Sequence, residues 1–219
     1  MCLSSSFRKG LINIGYKTIA AAAEAAFTEK KSEFIGYIAP VSTEEEAVAF
    51  IAKIRALHRK ATHNCYAYII RENNISRHSD DGEPQGTAGV PIFEVLRKEG
   101  LTDVCCVVTR YFGGILLGGG GLVRAYTEGA KKAVENAEIM NMSAACKVLL
   151  KLEYPLYGKI AAALAKHDAR TESESFAADV EICLVVREEK AEALRAELIE
   201  LCSGKIDVNI IQKYEYNFS

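Results

Sequence analysis

The spacing of hydrophobic positions changes several times along the chain, and each change marks an element. Residues 16–22 and 34–41 are apolar runs that read as two strands joined through the polar stretch 28–32. Ser42 and Thr43 stand three residues ahead of Glu45 and Glu46, the spacing of a capping box, which predicts a helix start. Ala47, Phe50, Ile51, Ile54 and Leu57 then recur every three or four residues, an apolar stripe set against Glu44, Lys53, Arg55 and Arg59. A strand follows over 64–71, a turn at Asn73-Asn74, and a short strand over 75–78. Residues 79–89 hold Asp80-Asp81-Gly82 and Pro84, all turn formers, and read as loop. Pro91 suits the first turn of a helix ending near Glu99, with Gly100 as its stop. The run 104–109 is almost wholly apolar, as a strand covered on both faces would be. After a glycine-rich stretch, a helix over 122–137 would bury Leu122, Val123, Tyr126, Ala130, Ala133, Val134 and Ala137.

Beyond a short linker at 141–145 the predicted order is strand 147–153, helix 156–167, strands 170–176 and 179–187, helix 188–202 and strand 205–216. The second helix would bury Ala191, Leu194, Leu198 and Leu201. A β-α-β-β-α-β order in so few residues is the ferredoxin-like split unit. The expected fold class is therefore α+β with two domains, 16–140 and 141–219, behind an N-terminal stretch 1–15.

Composition narrows this picture. With 219 residues, 49% hydrophobic and 26% charged, the chain can build real cores, and it has none of the bias of disordered, collagen-like or coiled-coil sequences. It lacks an apolar run of about 18 residues and, near its start, an apolar stretch before a cleavage-like site. Neither a membrane span nor a secretory signal is expected, and the expected location is cytoplasmic. Seven cysteines, an odd number without CxxC spacing, lie mostly in apolar stretches, as buried free thiols do. Net charge is −2; Lys and Arg number 17 against 16 acids in residues 1–140, and 10 against 13 in 141–219. Neither half has a strong basic excess, so any nucleic-acid contact has to come from local clustering.

Such clusters exist. The segment Arg110–Gly121 follows an apolar strand and opens a helix, an arrangement whose backbone N–H groups can hold an anion. It lacks the Gly-Lys-Ser/Thr of a P-loop and the register of GxGxxG. Candidate phosphate or nucleic-acid contacts are Arg110, Tyr111, Gly113, Gly114, Gly118, Gly119, Gly120, Gly121 and Arg124, with Arg77, Arg55, Arg59 and Lys60 extending the track. The alternative is a tight turn in which glycine serves only backbone geometry. A polar group, His63, Asp80, Asp81 and Glu83, could act in acid–base or Mg²⁺ chemistry; the reading that fits better is that its carboxylates pair with Arg77, Arg110 or Arg124 and pin two loops together. His58, His63 and Cys65 fall short of the three or four ligands of zinc and of a nucleophile–base–orienter set. Arg55, His58, Arg59, Lys60 and His63, near Tyr66, Tyr68, Tyr111 and Phe112, could form a surface for single-stranded RNA, or a solvated helix face with aromatics in the core. No catalytic residue, metal or cofactor is assigned.

Several segments together resemble the IMPACT family, particularly its bacterial YigZ-type members. They are Lys31-Ser32-Glu33-Phe34-Ile35, His63-Asn64-Cys65-Tyr66-Ala67-Tyr68, Ser79-Asp80-Asp81-Gly82-Glu83-Pro84 with Gly86-Thr87-Ala88-Gly89, Val108-Thr109-Arg110-Tyr111-Phe112-Gly113-Gly114, Leu117-Gly118, and Gly120-Gly121-Leu122-Val123-Arg124-Ala125-Tyr126. The resemblance covers about 16–137 by motif and the remainder by element order. It implies an N-terminal domain of the ribosomal-protein-like fold also used by domain IV of elongation factor G, and a ferredoxin-like C-terminal domain similar to that factor's late domains. Eukaryotic members of the family regulate translation by competing for the activator of a stress kinase, through an extra domain with no counterpart in this sequence, so that partnership is not carried over. For bacterial members the resemblance implies an RNA, ribosome or translation-factor partner without an established reaction. Leu116 departs from the family's frequent Lys and removes one charge from the loop. Residues 1–15 have no counterpart and read as an extension or a misassigned start.

Two functions follow. The first is a non-catalytic, translation-linked protein that contacts RNA phosphates through the glycine loop and its flanking arginines. The second is an enzyme acting on a phosphorylated or nucleotide-like molecule, with Asp80, Asp81 or Glu83 as base or metal ligands. An adaptor that docks by strand addition is a third possibility, and the oligomeric state is not legible.

Overall fold

The computed structural model describes residues 15–219, which divide into two units, 16–141 and 142–219; most of the expected extension 1–15 lies outside the described residues. The first unit is built on a five-stranded sheet in the order β2-β3-β6-β4-β5. Its elements are β1 (Tyr16–Ile19), β2 (Ala23–Glu29), β3 (Ser32–Pro40), α1 (Glu44–Leu57), β4 (His63–Ile70), β5 (Ile75–Ser79), α2 (Gly89–Lys98), β6 (Val104–Tyr111) and α3 (Gly119–Glu135). The expected strand 16–22 stops at Ile19, and a further strand, β2, follows from Ala23 to Glu29, reaching into the expected polar connection. Lys30 and Lys31 both adopt positive φ, 46° and 64°, so β2 and β3 form a tight hairpin where a polar connection was expected.

β6 is the centre of this sheet, and its pleat explains the layering. Val104, Cys106 and Val108 join Phe34, Ile38, Cys65 and Ala67 in a core filled by α2 and α3. Cys105 and Val107 point the other way, into a core with Tyr37, Tyr68 and the α1 residues Ala47, Ile51 and Ile54. The strand is thus buried on both faces, as its unbroken apolar run predicts. Thr43 caps α1 by accepting from the Glu46 N–H at 3.2 Å, and Glu46 reaches back to the Ser42 N–H at 2.6 Å. Leu57, Val123 and Leu201, all expected in buried helix stripes, are exposed instead, Leu57 and Leu201 as the last residues of their helices and Val123 early in its own.

The second unit takes its first strand, β7 (Ile139–Leu152), unbroken through the expected linker at 141–145. Then come α4 (Tyr154–Lys166), β8 (Arg170–Phe176), β9 (Val180–Arg187), α5 (Glu188–Leu201) and β10 (Ile206–Asn217). The strand order β8-β9-β7-β10, all antiparallel, is the ferredoxin-like arrangement. Its core gathers Leu150, Ile160, Ile182, Leu184, Leu194 and Leu198. The molecule is α+β, and no described helix is long and apolar enough to cross a membrane.

Candidate nucleic-acid interface

The pleat of β6 decides the fate of the first candidate. Arg110 has the parity of Cys106 and Val108, so its side chain enters the α3 side of the sheet and is only 6% exposed. There it donates from Nη1 to Glu83 Oε1 at 2.6 Å, and Tyr126, from α3, donates its hydroxyl to the same oxygen at 2.7 Å. Nη2 lies 3.4 Å from Ser32 Oγ, which also accepts from the Gly113 N–H. The expectation that Arg110 grips phosphate from the surface is therefore corrected: its charge is met internally by Glu83.

The carboxylates are also spoken for. Asp80 accepts from the N–H groups of Gly86, Ala88 and Gly89 at 2.8–3.0 Å, at the start of α2. Burial would raise its pKa, but these backbone donors hold it below the usual carboxylate range. Asp81 pairs with Arg55 at 2.5 Å and accepts the Asn64 N–H at 2.7 Å. Together with Glu83 they pin the 79–89 loop, Asp81 pairing with Arg55 and Glu83 with Arg110. Arg77 lies on β5 beside Glu44, on the α1 side of the sheet and away from the glycine loop. Among the described residues, no group of three or more His, Cys, Asp or Glu is placed to hold a metal.

Histidine and cysteine find structural partners too. His58 bridges Tyr37 (2.6 Å) and Tyr111 (2.9 Å). Tyr111 is thereby turned to the α1 side and away from the loop. Cys65 donates to the Asp80 carbonyl, and desolvation pushes its thiol well above the ordinary range. A buried, protonated thiol of this kind is no nucleophile.

The glycine loop itself is exposed, and α3 begins three residues earlier than the spacing suggests, taking Gly119, Gly120 and Gly121 into its first turn. Gly118 precedes it at φ 72°, a backbone conformation that needs glycine. No side chain caps this end and no acid stands in the first turn, so the N–H groups of a 17-residue helix face outward unneutralised. Arg124, exposed, lies one turn on, and its Nη1 comes within 4.0 Å of where a side chain at Gly120 would start. Arg59 and Lys60 are exposed on the turn after α1. That turn is tied to the loop: Thr62 donates its N–H to the Arg110 carbonyl, and its Oγ1 accepts the Phe112 N–H. Arg59, Lys60 and Arg124 have no ion-pair partner among the described residues.

Between turn and loop opens a cleft of about 410 Å³ lined by Thr62, His63, Glu83, Arg110, Phe112, Leu116, Gly118 and Gly119, among others. Phe112 and Leu116 are its exposed rim, 47% and 82% accessible. Thr62, Leu117, Leu122 and Tyr126 lie outside the candidate residues of the sequence; of these Tyr126 has a legible signal, because a tyrosine in a buried stripe needs a partner for its hydroxyl.

Comparison with known proteins bears on the same segments. Residues 30–134 match the Impact N-terminal domain, and residues 150–205 match a domain of unknown function, DUF1949. "IMPACT family member YvyE" of Bacillus subtilis is 41% identical over 194 residues, covering 88% of this chain and 89% of that protein. The chain belongs to the IMPACT family. Another IMPACT relative, "IMPACT family member YigZ" of Escherichia coli, is 34% identical over 187 residues, 84% of this chain and 92% of that one. "Protein IMPACT" of Mus musculus is 34% identical over 97 residues, 42% of this chain and 30% of that one. A solved structure titled "Crystal structure of an hypothetical protein" has a TM-score of 0.58 and 32% identity, and covers 92% of this chain and 99% of its own. The N-terminal match contains every residue of the cleft.

Proposed function

We propose that this IMPACT family member is a translation-linked protein that binds RNA, free or in the ribosome, without catalysing a reaction. The observation that carries this reading is the uncapped, acid-free start of α3, with Arg124 one turn along it and the exposed Arg59 and Lys60 on the turn that Thr62 ties to the loop. Helix N–H groups and exposed basic side chains contact phosphate in a sequence-independent way. Arg110, Arg55 and Arg77 are left out of direct contact, because Glu83, Asp81 and Glu44 meet their charges. In this reading Arg110 holds the strand end that positions the loop. Tagged full-length protein, captured from lysate with and without RNase, tests it. Ribosomal RNA should be recovered in the untreated arm at low salt; its absence, with pure RNA also failing to bind, would defeat the reading.

One observation favours an enzyme acting on a phosphorylated small molecule: the cleft brings His63, Glu83 and Arg110 together. Against it, Glu83 is engaged by Arg110 and Tyr126, and Asp80 and Asp81 are both committed to the loop.

A further inference from the structure

The polar end of the cleft has a donor and acceptor pattern of its own. His63 Nδ1 lies 2.8 Å from the Asp81 carbonyl oxygen, which can only accept, so Nδ1 carries the proton. In the uncharged ring Nε2 is then a bare acceptor, 3.9 Å from Glu83 Oε1. Glu83 is 4% exposed at its side chain, and both of its hydrogen bonds fall on Oε1. Oε2 accepts from no described residue. Across the wall, Arg110 Nε is buried without a partner. Glu83 Oε2, on a side chain 4% exposed, and His63 Nε2, 3.9 Å from the other oxygen of the same carboxylate, are two acceptors on one wall of the cleft and ask for a ligand edge that presents two neighbouring donors. The rest of the cleft adds an aromatic face at Phe112, apolar walls at Leu116, Leu117, Leu122 and Pro84, and at its mouth the helix N–H groups beside Gly118 and Gly119. A cationic double donor such as a guanidinium is disfavoured by that helix end and by Arg110. A neutral double donor on a flat ring, with phosphate attached, fits every wall.

We infer that the cleft takes the guanine base of a guanosine phosphate, with N1–H and the 2-amino group donating to Glu83 Oε2 and His63 Nε2, the ring against Phe112, and the phosphate at the start of α3. This rests on the RNA-contact reading above and names the nucleotide that the same site accepts. Adenine would set its N1 lone pair against an acceptor, and uracil and cytosine have no pair of adjacent donors on that edge. A base can enter such a cleft only unstacked, so the source is single-stranded RNA or a free nucleotide.

The test measures fluorescence anisotropy with the full chain and labelled uridine pentamers carrying guanosine, inosine or adenosine at the centre. Guanosine should bind roughly 5- to 150-fold tighter than adenosine, the range of one bidentate base contact. Inosine keeps N1–H and lacks the amino group, and should fall between. Phe112→Ala, on an exposed loop position that spares the core, should weaken the guanosine pentamer by about 5-fold or more through lost stacking. Competition with GMP and AMP identifies the source: GMP alone displacing the pentamer at similar concentration indicates a free nucleotide, and GMP displacing it only weakly, but better than AMP, indicates a nucleotide within a strand. Equal affinity for the three pentamers overturns the guanine assignment and leaves RNA contact standing. Failure of all three to bind at low salt overturns both.

Discussion

Glu83 holds Arg110 and Tyr126 on one oxygen, and the pair is nearly dry. Removing one member of such a pair strands the other charge, so Arg110→Met should cost about 3–5 kcal/mol in urea unfolding. Combined with Glu83→Gln it should cost clearly less than the two single changes summed. Additive losses would mean that the ion pair does not act as a unit. Burial also sets the thiols. Desolvation pushes Cys106 up to about 12 and raises Cys65 and Cys105 as well. At pH 8 these three should resist iodoacetamide in the folded protein and react once it is denatured, as read by mass spectrometry of their peptides. Arg110 shows how far single residues were legible. Its parity with Cys106 and Val108 places it on the buried face, and of the two roles the sequence offers it, pairing with a loop carboxylate and contact with phosphate, the structure shows the first. The partners of Asp80, by contrast, are backbone N–H groups brought in by loop geometry, which no side-chain pattern announces.

At the scale of elements, the periodic segments were the readable ones. β6 was predicted covered and is; α1 was predicted from its capping box and is capped that way. The β2–β3 turn escaped because Lys30-Lys31 takes positive φ without glycine or asparagine. The supposed linker 141–145 became strand because β10 pairs along it, with Tyr214 opposite Ala145 and Tyr216 opposite Ser143, a long-range pairing that local polarity cannot reveal. The start of α3 was misplaced because glycine is the poorest helix former short of proline, and the fold overrides it. Two glycines of the loop separate these causes. A side chain at Gly113 would begin 1.9 Å from the Lys31 carbonyl oxygen, so Gly113→Ala has to move backbone of the β2–β3 hairpin and should destabilise by more than about 2 kcal/mol. Gly120 sits inside the helix facing open space except for Arg124, so Gly120→Ala should be neutral or stabilise by about 0.5–1 kcal/mol. Thermal unfolding of both variants checks the contrast. A costly Gly120→Ala would mean the first turn is not helical as described.

For the molecule as a whole, net charge is −2, so attraction to a polyanion has to be local. The account places it at Arg59, Lys60 and Arg124 together with the start of α3, in the unit 16–141. The ferredoxin-like order of the second unit was legible from its alternating elements, while its edge strand β8, exposed along its whole length, gave no residue of chemical note. The central claim is electrostatic, and salt is its direct probe. The affinity of the full chain for a single-stranded RNA should be measured from low to moderate salt, beside an Arg59→Gln/Lys60→Gln/Arg124→Gln variant shown to be folded by circular dichroism. Each lost phosphate contact removes about 0.7 from the slope of log affinity against log salt, so the triple variant should flatten it by about 2. A slope identical in both proteins would place the phosphate contacts elsewhere and contradict the account.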